Sequence, residues 1–138
     1  MDTRRLLEVL STAEALKRNT RHSFSSGGRK ESVAEHCWRL CFMAYFVGDE
    51  FPDVDIDRVI RMCLMHDIGE AFTGDIPAFS KTESDEAVEW ERIKEWIRSL
   101  PEPYRENLTD LFAEMREQRT KESQIYLALD KMEAIVQH

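Results

Sequence analysis

Three side chains have the types and placement to hold a divalent cation: His36 and the adjacent pair His66-Asp67. Such a cation takes neutral imidazoles together with carboxylates. His66 closes the most apolar run of the chain, where a histidine is costly unless it has a task. Neighbouring side chains on a helix diverge by about 100°, yet their tips can reach one cation about 2 Å away. A lone His-Asp dipeptide reads more simply as a hydrogen-bonded core histidine. His36 changes the weighing, because it lies three residues after Val33 and four before Leu40, at the edge of an apolar stripe, and can also look inward. A fourth ligand should come from the C-terminal helix, where Asp130 is the candidate. It lies roughly 140° around the helix from the stripe Ile125, Leu129, Met132 and Val136, which suits a solvated aspartate, while Leu127 and Ala134 beside it suit a buried one. Spacing leaves both readings open.

A cation of this kind can lower the pKa of its water and polarise a phosphoryl oxygen. Phosphate-ester hydrolysis also needs a cationic grip on the remaining oxygens. The net charge is −8, but residues 1–40 carry 8 basic and 5 acidic groups while residues 41–138 carry 11 and 22. The basic excess gathers at Lys17, Arg18, Arg21, Arg29 and Lys30, around a polar run from Asn19 to Gly28 read as a loop. It is either a solvated surface or an anion pocket.

The elements that must position these groups are helices. Leu6, Leu7, Val9, Leu10, Ala13 and Leu16 repeat at helical spacing and stop before Asn19. Glu31 to Phe51 carries Val33, Cys37, Leu40, Cys41, Ala44 and Val47 on one stripe, with Ser32 as N-cap, Glu35 as its capping-box partner and Pro52 as the stop. Asp57 to about Asp67 is apolar on nearly every face and should be central. Phe72 to Ser84, with Thr73-Gly74-Asp75-Ile76-Pro77, reads as an ordered loop. Glu86 to Leu100, Tyr104 to about Gln118 and Glu122 to His138 complete about six helices, with no strand pattern to compete. The expected class is all-α. The 138 residues suit a single domain, and the absence of a glycine or asparagine stop leaves room for it to continue past His138.

Composition excludes several functions. An acidic chain with a pI near 5 repels a phosphate polymer and an anionic bilayer alike, so neither nucleic-acid polymers nor membranes are expected partners. No stretch is apolar enough to span a bilayer, and Met1-Asp2-Thr3-Arg4-Arg5 lacks a secretion signal, so a cytoplasmic location is expected. Cys37, Cys41 and Cys63, an odd number in apolar surroundings, suit reduced core packing better than disulfides or a thiolate site. Trp90, Trp96 and Met115 suit core contacts or a homodimer interface.

The order His36, His66-Asp67, Asp130, together with Ser32-Val33-Ala34-Glu35-His36, His66-Asp67-Ile68-Gly69-Glu70 and Thr73-Gly74-Asp75-Ile76-Pro77, resembles the HD-domain metal-dependent phosphohydrolases. Within them it looks like the 5′-deoxynucleotidase-like branch. The resemblance runs from about Leu16 to Met132 and is thin between Lys81 and Glu122. It implies an HD-domain helical bundle and one divalent cation (cobalt, manganese, zinc, iron, nickel or magnesium) on His36, His66, Asp67 and Asp130. It also implies release of phosphate from a nucleoside 5′-monophosphate or a similar small phosphomonoester. Arg21 matches an arginine that contacts phosphate, with Arg29 or Lys30 as helpers. Glu70 and Asp75 match catalytic carboxylates that position water or protonate the leaving oxygen. His22 stands where bacterial deoxynucleotidases place tryptophan, which bears on sugar or base preference.

Three other functions compete. A di-iron oxygenase would need further histidines, and only His22 and His138 are left. An alarmone pyrophosphohydrolase would resemble a motif with an acidic pair after His-Asp, whereas Ile68-Gly69-Glu70 offers one acid. A nucleotide-binding or metal-binding regulatory module would keep the ligands without turnover.

Overall fold

The computed structural model describes residues 1–74 and 80–137. In chain order the elements are α1 (Thr3–Arg18), β1 (Thr20–Phe24), β2 (Lys30–Ser32), α2 (Val33–Val47), α3 (Ile56–Met65), α4 (Glu70–Thr73), α5 (Glu83–Arg98), α6 (Tyr104–Glu117) and α7 (Lys121–Gln137). The expected helical bundle is present. One further element is a small hairpin in place of the loop read at Asn19 to Gly28. It is antiparallel, with Thr20 opposite Ser32 and Phe24 opposite Lys30. Its turn closes through Gly28 N–H to the Ser25 carbonyl at 2.9 Å, and Gly28 takes a φ of 82° that favours glycine. Two short strands with no alternating apolar face carry no periodic signal, so only pairing across the turn reveals them.

α2 packs against α3 and α7, and these three helices form the centre. Val33, Leu40, Ala44, Val59, Met62 and Cys63 are fully buried there. The capping box at the start of α2 is as expected, with Ser32 Oγ accepting from Glu35 N–H and Glu35 Oε2 accepting from Ser32 N–H, both at 3.1 Å. α5 starts three residues earlier than its apolar pattern indicates, because Thr82 and Asp85 form a second capping box. Trp90 and Trp96 pack against the core and Met115 lies within it, while the three cysteines are free thiols. α3 is central as expected but not buried on every face, since Leu64 is 54% exposed. The apolar face of α1 is also largely open, with Leu6, Leu7 and Leu10 exposed, and Leu10 lines a groove together with Trp38 of α2. No helix among the described residues is long and apolar enough to cross a membrane.

α7 is rotated relative to its expected stripe. Met132 and Val136 are exposed at 50% and 67%, whereas Ser123, Tyr126, Leu129 and Glu133 are buried. The greasy side chains lose because the opposite face carries Asp130 and Glu133, which pair with the buried His36 of α2. A buried imidazole without partners costs more than two half-exposed aliphatic side chains.

Candidate active site

α2 supplies His36, the end of α3 supplies His66, the residue after it supplies Asp67, and α7 supplies Asp130. One ligand atom from each of His36, His66 and Asp67 lies within 4.8 Å of the others. Asp130 Oδ1 joins them at 2.7 Å from His36 Nε2 and 3.2 Å from His66 Nε2. The imidazoles are deep, with side chains 1% and 3% exposed, and the two aspartates form the accessible side at 20% and 27%. Of the two readings that spacing leaves open for Asp130, the structure gives the half-buried one, facing the histidines.

The donor chemistry fits a divalent cation. His66 Nδ1 sits 2.8 Å from the Cys63 carbonyl oxygen, which can only accept, so Nδ1 carries the proton. In the neutral ring Nε2 then carries a lone pair. It lies 3.1 Å from Asp67 Oδ2 and 3.2 Å from Asp130 Oδ1. Among the described residues it makes no hydrogen bond of normal geometry. A lone pair set against two carboxylate oxygens is repulsive unless a positive centre joins them, either a proton or a metal ion. Where the proton takes that place, burial opposes the charge but Asp67 and Asp130 hold the His66 pKa well above its ordinary value. Burial likewise opposes ionisation of Asp67 and Asp130, and the imidazoles outweigh it, so both carboxyls are held low. Tyr126 closes the inner wall, its ring 5.5 Å from that of His66, and burial pushes its hydroxyl up to about 12.

The hairpin delivers Arg21. Alternation along β1 turns Arg21 and Ser23 inward and His22 and Phe24 outward. Arg21 Nε lies 3.0 Å from Glu31 Oε2 across the hairpin, and its Nη1 lies 3.8 Å from Asp67 Oδ2. Glu31 is buried, and burial followed by the Glu133 charge raises its pKa against the pull of Arg21. Gln137 Nε2 donates to the Phe24 carbonyl at 2.6 Å and ties the hairpin to α7.

Not every expected residue is brought together. His22 is exposed on the outer side of β1. Arg29 is a surface residue paired with Glu35 at 2.8 Å, its side chain 65% exposed. Glu70 is buried at the start of α4, and its carbonyl accepts from Asn19 Nδ2 at 2.7 Å. Asp75 lies outside the described residues. Gly69 has a φ of −59°, which suits any residue. It is required because α5 comes close: a Cβ there would lie 2.5 Å from Glu89 Cγ and 2.9 Å from Ile93 Cδ1.

Two buried carboxylates escape a reading of the sequence, Glu31 and Glu133. Glu133 had a usable signal. If Asp130 faces inward, the residues three and four away on its face are Tyr126 and Glu133. Glu31 had none, because its role depends on strand pairing.

The family model described as HD domain matches residues 13–138. The 5′-deoxynucleotidase HDDC2 of Homo sapiens is 33% identical over 138 residues, covering 97% of this chain and 67% of that protein. The 5′-deoxynucleotidase YBR242W of Saccharomyces cerevisiae is 29% identical, covering 96% and 58%. The chain thus spans about two thirds or less of the length of these curated relatives. Among solved structures, one described as a predicted metal-dependent phosphohydrolase from Magnetospirillum magnetotacticum superposes with a TM-score of 0.81 at 27% identity, covering 96% of this chain and 70% of that one. An HD-domain phosphohydrolase from Listeria innocua gives 0.76 at 26% identity, covering 96% and 67%. With a family match over nearly the whole chain and the paired histidine-aspartate geometry behind it, the chain belongs to the HD domain family.

Proposed function

We infer that the chain is a metal-dependent phosphohydrolase that releases phosphate from nucleoside 5′-monophosphates, with deoxyribonucleotides as the favoured class. The observation that carries this reading is the set of two imidazole nitrogens and two carboxylates facing one point, with the Arg21 guanidinium beside Asp67. The relatives named 5′-deoxynucleotidase support the substrate class. We assign His36, His66, Asp67 and Asp130 to hold one divalent ion. Such an ion, when bound, lowers the pKa of water and polarises a phosphoryl oxygen.

The rest falls to side chains of the protein. Arg21, held at Nε by Glu31 and placed beside Asp67, serves the phosphate as a charge-assisted donor. Glu70 and Asp75 share the proton traffic, one orienting water and one protonating the departing 5′-oxygen. The buried imidazoles keep bulk water from the inner side, so the phosphate enters past Asp67 and Asp130. The free thiols suit the reducing cytoplasm in which we place the protein.

The test is phosphate release from a panel of 5′- and 3′-mononucleotides and an alarmone, with divalent ions added singly and metal content measured. Release from 5′-monophosphates, with about one ion per chain and loss of that ion in His36→Ala, is expected. Faster turnover of 3′-monophosphates or of the alarmone would refute the substrate class. Metal binding without turnover of any member would favour a regulatory module instead.

A further inference from the structure

Glu133 is 1% exposed, and no step of the proposed chemistry uses it. Its two carboxylate oxygens face two different donors. Oε2 lies 2.5 Å from His36 Nδ1, and Oε1 lies 2.8 Å from Arg39 Nε. Burial opposes ionisation of Glu133, but the His36 ring together with the Arg39 guanidinium holds its carboxyl low and so keeps it ionised. An ionised carboxylate can only accept, so Nδ1 of His36 is the protonated nitrogen and Nε2 carries the lone pair. That nitrogen points to Asp130 Oδ1 at 2.7 Å and to Asp67 Oδ2 at 3.8 Å. A ring flip would put a carbon opposite Glu133 and leave a buried carboxylate oxygen unmatched, so one orientation is locked.

We propose that Glu133, anchored by Arg39, is the positioning residue of the metal centre: it fixes the tautomer and the ring orientation of His36 so that Nε2 faces the ion. The inference rests on the reading of His36 as a metal ligand. A carboxylate behind a ligating imidazole raises its basicity as well as orienting it, and losing such a partner typically costs about 10–100-fold in metal affinity.

The discriminating variant is Glu133→Gln. Two donors need two acceptor oxygens, and an amide has one, so either His36 Nδ1–H or Arg39 Nε–H must meet an NH2 group. Zinc affinity, measured by chelator competition, should fall about 10–100-fold while the far-UV circular dichroism is unchanged. Adding Arg39→Met removes the competing donor and lets the amide oxygen turn to His36, so the double variant should recover much of the affinity. A merely structural role predicts further loss instead.

Imidazole NMR of the zinc-loaded native protein supplies a readout that needs no variant. His36 should show a slowly exchanging, downfield Nδ1–H and zinc on Nε2. If the native protein binds no zinc, or His36→Ala binds it as tightly, the metal reading itself fails. Should His36→Ala lose zinc while Glu133→Gln binds within twofold of the native protein, the positioning role alone is overturned. If Glu133→Gln does not fold, the NMR decides, and a proton on Nε2 refutes the proposal.

Discussion

Replacing Gly69 by alanine tests whether α5 clamps the segment between Asp67 and Glu70. The added methyl would stand 2.5 Å from Glu89 Cγ, 2.9 Å from Glu89 Cδ and 2.9 Å from Ile93 Cδ1, against an optimum of about 3.5–4.0 Å between carbons. Something must move by on the order of 1 Å. Glu89 is not a free side chain, because its carboxylate accepts from Thr73 Oγ1 at 3.3 Å and from Lys81 Nζ at 3.2 Å. Ile93 belongs to the core at 6% exposure. Overpacking of this kind costs about 1–3 kcal/mol. The helix-compatible backbone returns about 0.4–1 kcal/mol through the unfolded chain. A net loss of about 1–2 kcal/mol is expected, read as a lower urea midpoint with an unchanged slope. Turnover should fall as well, since relief of the clash pushes Asp67 and Glu70 apart from α5. The double variant Gly69→Ala with Glu89→Ala removes two of the three obstructing atoms and should recover part of the stability. A single variant as stable as the native protein, or a double variant whose losses simply add, would show that α5 does not press on this glycine.

Three further outcomes follow from the site and the core. Arg21→Ala should raise KM for the mononucleotide or lower kcat while metal content, read by elemental analysis, stays at the native level; loss of the ion would make Arg21 part of its binding instead. Glu70→Gln should retain the ion and lose about 10²-fold or more in kcat, the scale of a general acid or base, whereas near-native activity with an inactive Asp75→Asn would pass that role to Asp75. Burial pushes the Cys63 thiol up to about 12 and raises that of Cys37, so neither forms appreciable thiolate at pH 8; mass spectrometry after iodoacetamide should find both unmodified in the native protein and alkylated in urea, and rapid native labelling would contradict the packing.

Three of the clustered side chains of the candidate site, and most of the helices that carry them, were legible from residue types and order. His36 on the edge of an apolar stripe and His66-Asp67 at the end of an apolar run marked a candidate cation site, because buried imidazoles and carboxylates are too costly to keep without partners. Ser32 and Glu35 announced the start of α2, since a capping box is a local arrangement of side chain and backbone. Local patterns of this kind need no knowledge of what packs where.

Tertiary structure decided the rest. The direction faced by α7 could not be read from its aliphatic residues, because the pairing of Asp130 and Glu133 with His36 outweighs the burial of Met132 and Val136. The hairpin that holds Arg21 against Glu31 depends on two short strands meeting across a turn, and such pairing has no periodicity to betray it. Gly69 is a point of close helix approach, which only the path of α5 reveals. Residue identity and local spacing therefore determined the helices and the candidate ligand types, through interactions within a turn or two of chain. Contacts between distant segments determined which face is buried, which arginine reaches the site and which carboxylate stands behind a histidine, because those energies exist only once the segments meet.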